Sequence, residues 1–202
     1  RADWRDRPLV AACALAFGPA LLTAWMFILG VIGGASESAL IVLPNILAGT
    51  VVLSVLGLLI VWIKRRPLEP PSPNRPRRLL DARIILTMLG ASLALVWLTT
   101  AYWPFIHYDT LWVYGYQGKL YALNGYIPQS IGYYPPFMAL QYTYAQLAAG
   151  LGLDDHAARA VIFPLYIGSI LMTYALGARL FNRRTGLFAA ALWGLYPHVA
   201  RS

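Results

Sequence analysis

Apolar residues gather along this chain into runs too long for the helices of a water-soluble core. Leu9 to Ile32 and Ala39 to Ile63 are almost unbroken. A helix rises about 1.5 Å per residue and needs roughly 20 apolar residues to cross the hydrocarbon of a bilayer. Both runs meet that length. Gly33-Gly34-Ala35-Ser36-Glu37-Ser38 between them reads as a tight turn, so residues 1–63 are expected to form a transmembrane helical hairpin. Pro19 and Pro44 fall inside the runs, a placement that membrane helices tolerate better than soluble ones. Ile84 to Tyr102 is a third run, Ala158 to Leu180 a fourth, and Gly186 to Pro197 begins another. The expected fold class is all-α, a polytopic bundle of transmembrane helices.

Charge then orients the bundle. Residues 64–83 carry Lys64, Arg65, Arg66, Arg75, Arg77, Arg78 and Arg83 around a proline-rich centre. Prolines keep such a segment extended, and its cations are expected to hold it at the cytoplasmic face. Arg1, Arg5 and Arg7 place the amino terminus on the same side, two spans away, and Arg179, Arg183 and Arg184 mark the inner end of the fourth run. Residues 103–156, with Lys119 as their single Lys or Arg, then form a loop on the outer side. Within that loop Phe137 to Leu153 is short and interrupted by Gln141, Tyr142, Tyr144 and Gln146. Making it a span would invert the charge bias, so it is expected to lie at the outer interface.

Composition agrees with a bilayer as solvent. The chain is 59% hydrophobic and 12% charged, with mean hydropathy +0.58, against about a quarter charged in a soluble domain. The net charge of +8 lies between apolar segments rather than along one solvated face, so no nucleic-acid partner is expected. Cys13 is the lone cysteine, which excludes an internal disulfide. The chain begins at Arg1 and ends in an apolar stretch, and is read as an amino-terminal piece of something longer.

The chemistry sits in the outer loop. Asp109 follows closely on a membrane exit, and residues 110–122 read as a short helix, which makes Asp109 its amino-terminal cap on the simplest view. Its apolar, aromatic surroundings argue for a task beyond capping, because a charge there is costly. His107, Tyr116, Gln117, Lys119, Asn124 and Gln129 are further polar groups able to converge on it. Gly132-Tyr133-Tyr134-Pro135-Pro136 leads into the segment after it. Asp154-Asp155-His156 reads first as a helix cap, with a divalent-metal site as the weaker reading, so no metal or other cofactor is assigned. Arg159 and Lys119 are the outer cations placed to meet an anionic ligand. A headgroup anchor is the preferred reading of Lys119.

The order of these features resembles the amino-terminal portion of the GT-C glycosyltransferases, the polytopic enzymes related to protein O-mannosyltransferases and the lipid A aminoarabinose transferase. The resemblance covers residues 84–202 and rests on several elements in order. These are the early loop Asp, the Tyr-rich helix, Gly-Tyr-Tyr-Pro-Pro, and Gly-Leu-Asp-Asp-His-Ala-Ala-Arg. The span ending Gly-Ala-Arg-Leu-Phe-Asn-Arg-Arg-Thr-Gly completes the set. It implies a GT-C-like catalytic domain starting at residue 84, with juxtamembrane helices in its outer loop. It also implies transfer of a sugar from a polyprenyl-phosphate donor to an acceptor hydroxyl at the outer face of a prokaryotic plasma membrane. Asp109 matches the family's general base, and His107, Tyr133, Tyr134, Arg159 and Lys119 are the substrate-binding residues nominated with it. The chain has Tyr134-Pro135-Pro136 where the family often has His-Pro-Pro, and Thr110 where an acidic residue often follows the Asp. A transporter or flippase core, and a non-catalytic scaffold with a glycan- or partner-binding loop, are the alternatives. The near absence of ionisable residues from the spans counts against transport.

Overall fold

The computed structural model describes residues 7–63, 79–129, 134–150 and 152–196. Most of the basic linker 64–83, the amino-terminal Arg1 and Arg5, Tyr133 and Pro197 lie outside the described residues. Among those described, every regular element is helical: α1 Arg7–Ser36, α2 Leu43–Ile63, α3 Leu79–Tyr102, a π-helical turn Thr110–Tyr114 running into α4 Gly115–Asn124, α5 Phe137–Ala149, α6 Asp155–Arg159, α7 Ile162–Leu180 and α8 Arg183–Gly194. Four stretches are long and apolar enough to cross a membrane: Pro8–Ser36, Leu43–Ile60, Ala82–Tyr102 and Asp155–Leu180. They are the four complete runs of the sequence. Their apolar side chains point outward, with Phe17 60%, Val51 61%, Leu58 70% and Leu95 60% exposed. Such faces are stable only against lipid or more protein, since water would meet a continuous apolar surface.

The hairpin differs from expectation in its turn. Helix α1 continues through Gly33, Gly34 and Ala35 to Ser36, and the chain turns at Glu37 with φ 50°. The Ser38 amide donates to Gly33 O at 2.9 Å, closing the helix with the six-to-one bond that accompanies a left-handed residue at its end. Helix α2 then starts at Leu43, four residues later than the apolar run suggested, so Pro44 sits in its first turn, where a missing amide costs nothing.

Two compact units divide the chain: 1–18, 68–101 and 162–202 form one, and 19–67 and 102–161 the other. In the first, α3, α7 and α8 enclose Ile85, Leu89, Val96, Tyr166, Ile170, Ala190 and Ala191. Helices α7 and α8 form a hairpin that closes on glycines: a methyl built on Gly177 would lie 2.9 Å from the Gly186 Cα. Small residues let membrane helices approach this closely and gain dispersion contacts. Ser92 Oγ stands 2.8 Å from the Tyr166 hydroxyl and donates to Gly194 O at 2.8 Å, and the Tyr166 hydroxyl also donates to that carbonyl. The carbonyl near the end of α8 is thereby satisfied by side chains of two other helices. Helix α8 begins at Arg183, ahead of the expected Gly186, because Asn182 caps it by accepting the Thr185 amide at 3.0 Å.

The second unit packs α4 and α5 against the later part of α1 and the start of α2, around Met26, Ile41, Ile46, Tyr121, Ala139 and Leu140. Here Gly30 and Gly34 of α1 admit a backbone segment. The Ile127 amide donates to Gly30 O at 3.1 Å, and a methyl on Gly34 would come within 2.3 Å of Ile127 O. Ile41 N donates to Gly125 O at 2.6 Å. The loop after α4 is therefore stitched to the α1–α2 turn by backbone bonds, which places the two on the same side of the spans they follow. Gly34→Ala is expected to force this loop off α1, at about 1–3 kcal/mol for an unrelieved overpacking. A thermal unfolding curve in detergent, with amide exchange followed at Ile127, measures both the loss and its location.

Candidate functional site

Asp109 is not the cap that its position suggests. The helical stretch begins at Tyr108, and Asp109 already has helical φ −62° and ψ −33°, with no side-chain capping bond. Its carboxylate is exposed, and no hydrogen bond or ion pair among the described residues engages it. It lies in the first turn, where the unpaired amides and the helix dipole favour negative charge. His107, two residues earlier, is also exposed, and its carbonyl accepts the Leu111 amide at 2.9 Å. The turn that follows, Thr110–Tyr114, is π-helical, a rare element that most often appears as a single wide turn at functional positions.

Arg159, at the end of α6, reaches back to where α3 ends. Its Nη1 donates to Trp103 O, and to Pro104 O at 3.0 Å. These carbonyls follow the last turn of α3, where acceptors lack helical partners and a cation is favoured by the dipole. Arg159 therefore holds the strand of chain that carries His107 and Asp109. Lys119 is engaged too: its Nζ sits 2.7 Å from Asp155 Oδ1, an oxygen that accepts no other donor. The lysine keeps about a third of its surface, so this pair adds at most about 1 kcal/mol. Asp154 is the cap expected of it, accepting the His156 amide at 3.0 Å. Among the described residues no three His, Cys, Asp or Glu side chains gather as a metal site would need.

Helix α5 has 13 residues, too few to cross a bilayer, and several of its polar and aromatic side chains turn into the protein. Gln141 donates through Nε2 to Pro19 O at 2.8 Å and to Thr23 Oγ1 at 2.7 Å. Thr143 donates to Gly118 O at 3.0 Å. Tyr142 is 3% exposed and packs on Phe105, with ring centroids 4.9 Å apart. Burial pushes its phenol up to about 12, opposed by the positive charge of Arg159 and reinforced by Tyr114. Tyr114 in turn meets the Tyr134 ring edge-on at 5.9 Å. Tyr114, Tyr142 and Asp155 are thus the parts of this cluster missed from sequence. The available signal was the adjacent acidic pair Asp154-Asp155.

A cleft of about 580 Å³ opens beside this cluster, between Phe27 and Val31 of α1 and Tyr121, Ile127 and the Tyr134-Pro135-Pro136 segment. Of the residues nominated from sequence it takes in Tyr134 and Gln129; His107, Asp109, Lys119 and Arg159 are not part of its wall. Comparison with protein-family models, with characterised proteins and with solved structures yields no match for this chain.

Two outcomes follow from the geometry. Tyr142 holds its proton in the folded state above the pH at which an exposed tyrosine, near 10.0, releases it. Its contribution to stability is therefore complete below about pH 10 and is lost as pH rises towards 12. Tyr142→Phe is expected to flatten the alkaline limb of a stability–pH curve. Arg159→Gln, in turn, is expected to speed amide exchange across residues 105–111 while leaving exchange in α7 unchanged.

Proposed function

We propose that this chain belongs to a membrane glycosyltransferase of GT-C type, moving a sugar from a polyprenyl-phosphate donor to an acceptor hydroxyl, with Asp109 as the general base. The observation that carries the reading is an exposed carboxylate, free of capping and ion pairing among the described residues, seven residues beyond the end of a candidate span. A carboxylate held at a membrane boundary without a structural partner is poised to accept a proton. The acceptor oxygen attacks the anomeric carbon and its proton passes to Asp109. The bond from that carbon to the phosphate oxygen breaks, and the polyprenyl phosphate leaves as the anion, giving inversion at the sugar.

Supporting features are the Arg159 contacts that hold the loop, the π-helical turn directly after Asp109, and the absence of Asp, Glu, Lys, Arg and His from Pro8–Ser36 and Leu43–Ile60. That last feature leaves little polar lining for transport through those two helices. Arg159 serves first to position the loop, and His107 and Tyr134 remain the described side chains assigned to meet a sugar.

The test is Asp109→Asn in the full-length protein, assayed for release of polyprenyl phosphate and for glycosylated acceptor. Loss of turnover by about 10²–10⁴-fold, the usual worth of a general base, is expected with membrane insertion intact. Turnover within a few-fold of wild type would remove Asp109 from the chemistry.

A further inference from the structure

Helices α3, α7 and α8 meet at one hydrogen-bonded level, formed by Ser92 of α3, the Tyr166 hydroxyl of α7 and Gly194 O of α8. Neighbouring contacts fix the direction in which each helix leaves it. A methyl built on Gly194 would lie 2.8 Å from Leu89 and 2.9 Å from Ile170. Stepping back from Ser92 to Leu89 on α3 therefore matches stepping forward from Tyr166 to Ile170 on α7, so these helices are antiparallel. Helix α8 is antiparallel to α7 as well, because Gly186 packs on Tyr174 and Ala178 while Gly194 meets Tyr166. The start of α3, the end of α7 and the start of α8 consequently lie at one end of this unit.

Arginines collect at that end. With a rise of about 1.5 Å per residue, Arg83 lies roughly 14 Å from the Ser92 level, Arg183 roughly 16 Å and Arg179 roughly 20 Å, all on the same side. These three and Arg184 are exposed. In the same terminal turns the sequence has one acidic residue, Asp81, which leaves a surplus of positive charge. Arg179 and Arg183 flank the short α7–α8 connection, on helices that touch where a methyl on Gly177 would come 2.9 Å from the Gly186 Cα. Neither has an ion pair among the described residues, and like charges held this close repel. Arg184 lies over the Phe188 ring, 5.7 Å from its centroid. Between the arginines, Leu180 and Phe181 are each 73% exposed.

We propose that the α7–α8 corner binds an anionic phospholipid, its phosphate bridging Arg179 and Arg183 while its acyl chains cover Leu180 and Phe181. Guanidinium groups present paired donors that match phosphate oxygens, and a phosphate between them removes the repulsion. The apolar tip selects the source of that phosphate. A soluble acidic protein or a nucleic acid would leave Leu180 and Phe181 in water, whereas a lipid satisfies the cations and the apolar pair together. Zwitterionic lipid carries the same phosphate, but the surplus charge of the corner repels its choline, so the preference is for a net negative headgroup. Basic segments at a membrane face attract acidic lipid diffusely. Here the glycine contact fixes the two helices that carry the arginines, which gives the lipid a defined seat. Asp109 takes no part in it, so failure of the sugar-transfer reading leaves this site standing.

The experiment uses the full-length protein in nanodiscs of phosphatidylcholine with a minority of phosphatidylglycerol, released for native mass spectrometry so that only bound lipid stays attached. Wild type should keep phosphatidylglycerol above its share of the bilayer. Arg179→Gln combined with Arg183→Gln should reduce that enrichment by about fivefold for each arginine removed. Arg65→Gln combined with Arg66→Gln takes the same charge from the basic linker and should leave the enrichment unchanged. Equal losses from both pairs overturn the proposal in favour of diffuse attraction, and a wild type without enrichment overturns it outright. A second measurement needs no substitution. Amide exchange across residues 176–186 of the wild type should slow when phosphatidylglycerol is added to phosphatidylcholine nanodiscs. Exchange that phosphatidylglycerol does not slow, or that inorganic phosphate slows equally in phosphatidylcholine alone, contradicts a lipid occupant.

Discussion

Hydrocarbon supplies no partner for a peptide group, and the non-helical backbone of the second unit is organised around that constraint. The chain leaves helical geometry between Ser36 and Leu43, between Tyr102 and Tyr108, and after Asn124. Each departure is tied down by hydrogen bonds. Ser38 donates to Gly33, Ile41 to Gly125 and Ile127 to Gly30, while Arg159 meets the carbonyls of Trp103 and Pro104. A backbone group left open within the hydrocarbon costs several kcal/mol, and these contacts fix where the loops lie against the helices. The glycines at 30 and 34 follow from the same demand, since a side chain there would keep Ile127 from reaching α1.

The candidate site inherits its geometry from this stitching. Lys119 is paired with Asp155, and Arg159 is engaged with backbone carbonyls, so both cations have structural work in the folded chain. Asp109 has none. A polar group in an apolar setting that is left out of every structural bond is a better functional candidate than one already paired, because its energetic cost has no other return in the fold. Tyr142 marks the opposite case: desolvation keeps its phenol neutral, and its ring packs on Phe105 to fill the unit between α5 and the segment after α3.

Helices α5 and 108–124 both carry aromatic residues in an amphipathic pattern. Both contain Tyr residues among small and polar ones, and the Gln and Tyr residues of α5 suggested an interfacial position. Gln141 finds Pro19 O and Thr23 on α1, and Thr143 finds Gly118 O. Those bonds make α5 the packed member of the pair. Sequence spacing gave either helix an apolar face; only the partner bonds chose which face was covered.

The one-dimensional pattern was sufficient for the spans, since length and continuous apolarity are properties of a segment by itself. It also sufficed for the caps at Asp154, which bonds within its own turn. It placed Asp109 at the head of a helix, although the helix begins one residue earlier, at Tyr108, so that Asp109 lies within the first turn and makes no capping bond. What required the folded chain were the long-range partners: Lys119 with Asp155, Arg159 with the end of α3, and the Gly30–Gly34 surface with Ile127. Those contacts join residues far apart along the chain, and no local propensity encodes them. They depend on which surfaces remain unsatisfied after each helix has formed, and that is decided only when the helices meet.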